Sequence, residues 1–110
     1  MNKDSRILLA HIKESLEDIE NYTRGLTEKD FLVSRQIQDA VCRRFEIIGE
    51  AANALPGEFR AEHSQIPWHK MIGMRNVLIH DYIGVDYPLL WKTVQKDLPE
   101  LKRALRELEV

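Results

Sequence analysis

Apolar residues return every three or four positions through most of the chain, the period of an α-helix that turns one face to a core. Leu8, Leu9, Ile12, Leu16, Ile19 and Tyr22 form the first stripe, with Lys13, Glu14, Glu17 and Asp18 on the opposite, solvated side. Asp4 or Ser5 is placed to cap free amides, which predicts a first helix from there to Tyr22, ended by Gly25. Thr27 with Asp30 three positions on has the pattern of a capping box. It predicts a short helical lead-in from Glu28, then a long helix from Ser34 to Leu55. The stripe of that helix is Ile37, Val41, Phe45, Ile48, Ala51, Ala52 and Leu55. Gly49 lies in its interior, where glycine costs roughly 1 kcal/mol relative to alanine. A close crossing by another helix would explain that cost. Pro56-Gly57 stops the helix.

Glu58 to Gln65 reads as a polar connector with room for one short turn of helix. Pro67 opens a third helix from Trp68 to about Tyr82, since proline is tolerated in a first turn, and Gly84 ends it. Asp86 caps the last segment, with Pro88 in its first turn. Trp91, Val94, Leu98, Leu101, Leu105 and Leu108 keep one helical phase across Pro99. That segment is either one kinked helix or two helices joined in register. Val and Ile nowhere alternate with polar residues, so no strands are expected. The fold class is all-α, an antiparallel bundle of four to five helices, in a single domain over residues 1–110.

Composition adds three constraints. Hydrophobic residues at 44% supply one core, but a domain this small keeps a high surface-to-volume ratio, which pairing of two copies would relieve. Cys42 is the single cysteine, so no intramolecular disulfide can form. The N-terminal stretch lacks a signal-peptide core and no apolar run is long enough for a bilayer, so a cytoplasmic location without membrane contact is expected. A net charge of −2 argues against a broad basic coat for nucleic acid. Any RNA affinity then rests on a few placed cations. His11, His63, His69 and His80 show no zinc-type spacing, and there is no glycine-rich phosphate loop, so neither metal nor cofactor is expected.

The third helix breaks the simple pattern. At about 100° per residue, Trp68, Met71, Ile72, Met74, Val77, Leu78, Ile79 and Tyr82 spread over most of its circumference, which predicts a largely buried helix. His69, Gly73, Asn76 and His80 make one narrow polar strip with a glycine notch. Such a strip is either the wall of a cleft or simply solvated, and for His69 the second is the plainer reading. Arg75 falls off the strip, in the apolar band near Ile79 and Tyr82. It requires an ion-pair partner, with Glu46 and Glu50 as candidates, or an opening to water or an interface. Together Arg75, Asn76, His80 and Tyr82 offer what RNA cleavage needs. An imidazole moves protons near neutral pH, and a guanidinium holds phosphate oxygens and stabilises transition-state charge. Arg75 and His80 point roughly 140° apart on an ideal helix, a gap bridged by a flexible arginine or by a cleft shared between two copies. An R-x4-H spacing alone is weak in a chain with this many arginines and four histidines.

The longer string is specific. Ile66-Pro67-Trp68, Gly73-Met74-Arg75-Asn76 and Arg75-Asn76-Val77-Leu78-Ile79-His80-Asp81-Tyr82 resemble the HepT-like toxins of the HEPN superfamily. So do Ile47-Ile48-Gly49-Glu50-Ala51-Ala52 upstream, and Trp91 with Asp97-Leu98-Pro99 downstream. The resemblance implies a helical-bundle homodimer that acts as a metal-independent endoribonuclease, the toxin of a toxin–antitoxin pair. It implies Arg75 and His80 as the catalytic pair, Asn76 in support, and Tyr82 as the tyrosine to which a minimal nucleotidyltransferase antitoxin adds AMP. Arg44 departs from the pattern, because it projects into the apolar stripe of the second helix. It either lines the dimer cleft and meets phosphate, or forms a structural salt bridge. The alternative to an enzyme is a catalytically inactive helical dimer that binds or regulates a nucleotidyltransferase.

Overall fold

A computed structural model describes residues 1–108. Helix α1 spans Lys3–Thr23, α2 Glu28–Leu32, α3 Arg35–Ala54, α4 Gly57–Glu62 and α5 Trp68–His80. A 3-10 turn over Tyr82–Gly84 leads into α6, Tyr87–Lys92, and α7 covers Leu98–Arg106. No strand occurs among the described residues.

Local chemistry sets most boundaries. α1 starts earlier than expected, because Asn2 rather than Asp4 or Ser5 is the cap: its side-chain oxygen accepts from the Ser5 amide at 2.7 Å. The Thr27–Asp30 capping box is formed reciprocally, at 3.1 and 3.0 Å. Gly25 takes the turn before it with a positive φ of 77°, the left-handed region that a side chain disfavours. Ser34 caps α3 and Asp86 caps α6.

The last segment is one helix. Between α6 and α7, Thr93–Asp97 is wound as a π-helix, and the Leu98 amide donates to the Thr93 carbonyl five residues back. Pro99 has no amide to give and its ring crowds the carbonyl of Gln95. The wider π turn absorbs that defect without interrupting the helix. The apolar phase therefore continues, and Leu90, Val94, Leu98, Leu101 and Leu105 are all buried.

α3 is the central element, packed against α1 on one side and α5 on another, while α7 closes on α1. Leu9, Ile12, Leu16 and Ile19 of α1 meet Val41, Phe45, Ile48 and Ala52 of α3 in the core. Phe31 of α2 is wholly buried, 5.4 Å from the Trp91 ring and 6.4 Å from the Tyr87 ring. Arg44 pairs with Asp18 of α1 at 3.2 Å, and Lys102 of α7 with Glu20 at 2.8 Å. Both pairs are partly exposed, so each adds at most about 1 kcal/mol. Arg44 is thus a strut between α1 and α3.

α5 corrects two expectations. The helix ends at His80, and Tyr82 belongs to the following turn. It is also not largely buried: Trp68, Met71 and Leu78 are, but Val77 and Ile79 stand open to solvent. The apolar residues do encircle the helix, but α3 covers only one side of it.

Candidate active site on α5

The side of α5 that meets α3 is built around Gly49. A Cβ there would collide with the Cβ of Arg75 and lie 2.6 Å from the Met71 carbonyl oxygen. The missing side chain is what lets the two backbones approach, and it seats Arg75 directly against α3. The expected close crossing is present, and its other partner is the candidate phosphate-binding arginine.

Arg75 is half-buried and forms no ion pair among the described residues, neither with Glu46 nor with Glu50. Glu46 instead faces Arg43 at 3.4 Å. The Arg75 Nη1 donates to the Asn76 Oδ1 at 3.0 Å, while its Nε is buried without a hydrogen-bond partner. A buried donor left unpaired is costly, of order 1–3 kcal/mol. With no carboxylate to neutralise it, the guanidinium keeps its charge and most of its donors for an incoming group. Asn76 is exposed beside it and fixes one end of the fork.

His80 occupies the last position of α5, exposed, and its side chain has no hydrogen bond or ion pair among the described residues. Arg75 and Asn76 are therefore brought together, while His80 stands free one turn further on. Beyond it the chain turns sharply. The Asp81 amide donates to the Val77 carbonyl at 2.8 Å and the Gly84 amide to the Asp81 carbonyl at 3.1 Å. A side chain at Gly84 would sit 2.9 Å from both carboxylate oxygens of Asp81. This tight turn pushes Tyr82 outward to 71% exposure, so the ring is not packed in the core and its hydroxyl is reachable. Cys42 is half-buried at the edge of the core rather than on a polar face. Burial first, then Glu46 and Asp39, push its thiol up to about 11.

An all-α bundle with a guanidinium, an amide, an imidazole and an exposed tyrosine on one helix and its following turn is the arrangement of a helical nuclease-type domain. The sequence matches the family described as ribonuclease HepT-like over residues 12–108. The chain belongs to this HepT-like ribonuclease family of the HEPN superfamily. It is 44% identical to a protein of Thermococcus cleftensis named "Probable ribonuclease HepT", over 98% of both chains. It is 51% identical to a Methanocaldococcus jannaschii protein whose name joins gamma-glutamylcyclotransferase to RNase, over 98% of this chain but 49% of that one. The chain thus spans about half the length of that relative. A Caldanaerobacter subterraneus protein named as an RNase is 41% identical over 96% of this chain and 95% of its own. No solved structure matches. No described helix is long and apolar enough to cross a membrane.

Proposed function

We propose that this chain is the toxin of a toxin–antitoxin pair, a metal-independent endoribonuclease that cuts RNA with Arg75 and His80. The observation that carries the reading is Arg75 itself: a positive charge set by Gly49 against α3, without a counter-charge, one turn from an exposed imidazole. An arginine kept for stability would be expected to hold a carboxylate.

In the mechanism, the RNA 2′-hydroxyl attacks the adjacent phosphorus and the bond to the 5′-oxygen breaks. The attacking hydroxyl loses a proton and the leaving 5′-oxygen gains one. His80 performs one of these transfers, and Arg75 neutralises the charge that builds on the phosphorane oxygens. Asn76 positions the guanidinium through its 3.0 Å hydrogen bond. The products are a 2′,3′-cyclic phosphate and a 5′-hydroxyl. The other proton is exchanged with water, and no role is given to a metal, so the reaction proceeds in EDTA.

Tyr82 is the control point. A nucleotidyltransferase antitoxin transfers AMP from ATP to its exposed hydroxyl, which loses its proton as pyrophosphate leaves, placing a negative phosphate beside Arg75 and bulk over the path to His80. The enzyme works as a homodimer, in which the open side of α5 meets its copy and the exposed Val77 and Ile79 are covered.

The deciding experiment is cleavage of a defined RNA in EDTA by the wild type, Arg75→Ala and His80→Ala, with product ends mapped. Each variant is expected to lose at least about 10²–10³-fold in rate, the scale for one charge-stabilising or proton-transferring group. Full activity in either folded variant would end the assignment.

A further inference from the structure

A cavity of about 350 Å³ opens between α4 and the start of α5, lined by Arg60, Ser64, Trp68 and His69 over a floor of Ile66. Its lining carries two basic side chains and no carboxylate. The Arg60 side chain forms no ion pair or hydrogen bond among the described residues, and its Nε is buried without a partner. Among the described residues it is one of two side chains with such a buried, unpaired atom; the other is Arg75. The cavity also receives the first turn of α5. Pro67 is the cap residue there, no acidic residue occupies the turn, and the Trp68, Lys70 and Met71 amides donate to the backbone carbonyls of Ile66 and Pro67. The positive end of the helix dipole thus lies next to a guanidinium with no carboxylate in the turn to offset it.

The walls are fixed. The Trp68 indole is buried and donates to the His63 carbonyl at 3.0 Å, which ties the connector to α5. Phe59 of α4 stacks 6.2 Å from the same indole. Arg60 and His69 are therefore held on rigid elements rather than on a loose loop. A guanidinium without an ion-pair partner, a serine hydroxyl and an imidazole lining one opening are donors for an oxyanion.

We infer that the α4–α5 cavity is a second anion site, which takes a backbone phosphate of the RNA some nucleotides away from the cut. The inference rests on the ribonuclease reading for the identity of the ligand. His69 and His80 belong to one strip of the same helix, and the rise of about 1.5 Å per residue places them about 16 Å apart. A single strand laid along α5 reaches both ends. The cavity then sets a minimum substrate length and supplies affinity that the acidic chain, at net charge −2, does not offer over its surface at large.

The test is binding of the full chain to RNA fully 2′-O-methylated, which cannot be cleaved, in a long form and as a dinucleotide, followed by anisotropy over a range of salt. Arg60→Gln should weaken the long RNA about tenfold and reduce the magnitude of its log–log salt slope by about 0.7, the value for one phosphate contact on a single strand. The dinucleotide, which reaches only Arg75 and His80, should show no such loss. The Trp68 indole N–H resonance should shift with the long RNA in the wild type and not in the variant. If Arg60→Gln does not fold, His69→Gln, at an exposed position, gives the comparison of long RNA with dinucleotide, without the salt-slope readout. Equal losses on both lengths, or none on the long RNA, overturn the inference while leaving the nuclease reading intact. Arg60-dependent binding without cleavage of ordinary RNA by the wild type supports the inference and overturns the nuclease reading. Failure of the wild type to bind RNA overturns both.

Discussion

The Cys42 thiol is raised from 9.0 to about 11, first by burial and then by Glu46 and Asp39. The protonated form is thereby favoured in the folded chain. Below the unfolded value both states hold the proton and the preference is fully present. As pH rises past it, the unfolded chain ionises first and gains stability relative to the fold, until the folded thiol also titrates. Stability should therefore fall between about pH 9 and 11, and Cys42→Ala should remove part of that fall in chemical denaturation. Tyr87, raised in the same direction mainly by burial, contributes to what remains. At pH 8 native Cys42 should resist alkylation while the unfolded chain reacts. Tyr82 makes the opposite case. Nothing covers it, and its 71% exposure carries no packing energy to lose. Tyr82→Phe should leave RNA cleavage and melting temperature unchanged but abolish AMP transfer by the antitoxin, read as the absence of an added-mass species. Loss of cleavage in that variant would place the hydroxyl in the reaction instead.

At the scale of elements, Gly49 decides where α5 lies. In an open helix Gly→Ala gains roughly 1 kcal/mol. Here the added methyl meets Arg75 and the Met71 carbonyl, and overpacking of this kind costs about 1–3 kcal/mol. Gly49→Ala should lower the denaturation midpoint, and it should also slow RNA cleavage, because α5 must move away with Arg75 on it. A stabilised and fully active variant would show that the crossing is not needed. The sequence pattern exposed this contact because a glycine inside an otherwise good helix needs a reason. It likewise showed the stripes of α1 and α3, the Thr27–Asp30 box, and the unbroken phase through Pro99. Other features depend on tertiary context. Periodicity cannot say whether an apolar ring such as that of Val77, Leu78 and Ile79 is covered on one side or both. Asn2, two residues before Asp4 and three before Ser5, is the cap instead of either, and ends of helices are set by such small differences. The chemical string from Arg75 to Tyr82 could be read directly. The Arg60 cavity could not, because it joins a connector to a helix start across Ile66 and Pro67.

The whole molecule measures 41 × 29 × 20 Å. Twenty ångströms is two helix diameters of about 10 Å each, and among the described residues α5 packs chiefly on α3. That geometry leaves Val77 at 52%, Ile79 at 38% and Ile83 at 86% exposure, around the tyrosine turn. Exposed apolar side chains of this kind suit a site of association, and in the proposed homodimer a second copy would bring the same residues to meet them with two-fold symmetry. The candidate groups border those residues, so pairing would turn an open strip into a cleft with two Arg75 and two His80 side chains. The purified chain should therefore run in light scattering at twice its 12.9 kDa mass. Val77→Asp, which puts a charge where the copies meet and touches no proposed catalytic group, should give a folded monomer with RNA cleavage reduced by the loss of the shared cleft. A monomeric wild type that cleaves at full rate would show that one copy of α5 is a complete site.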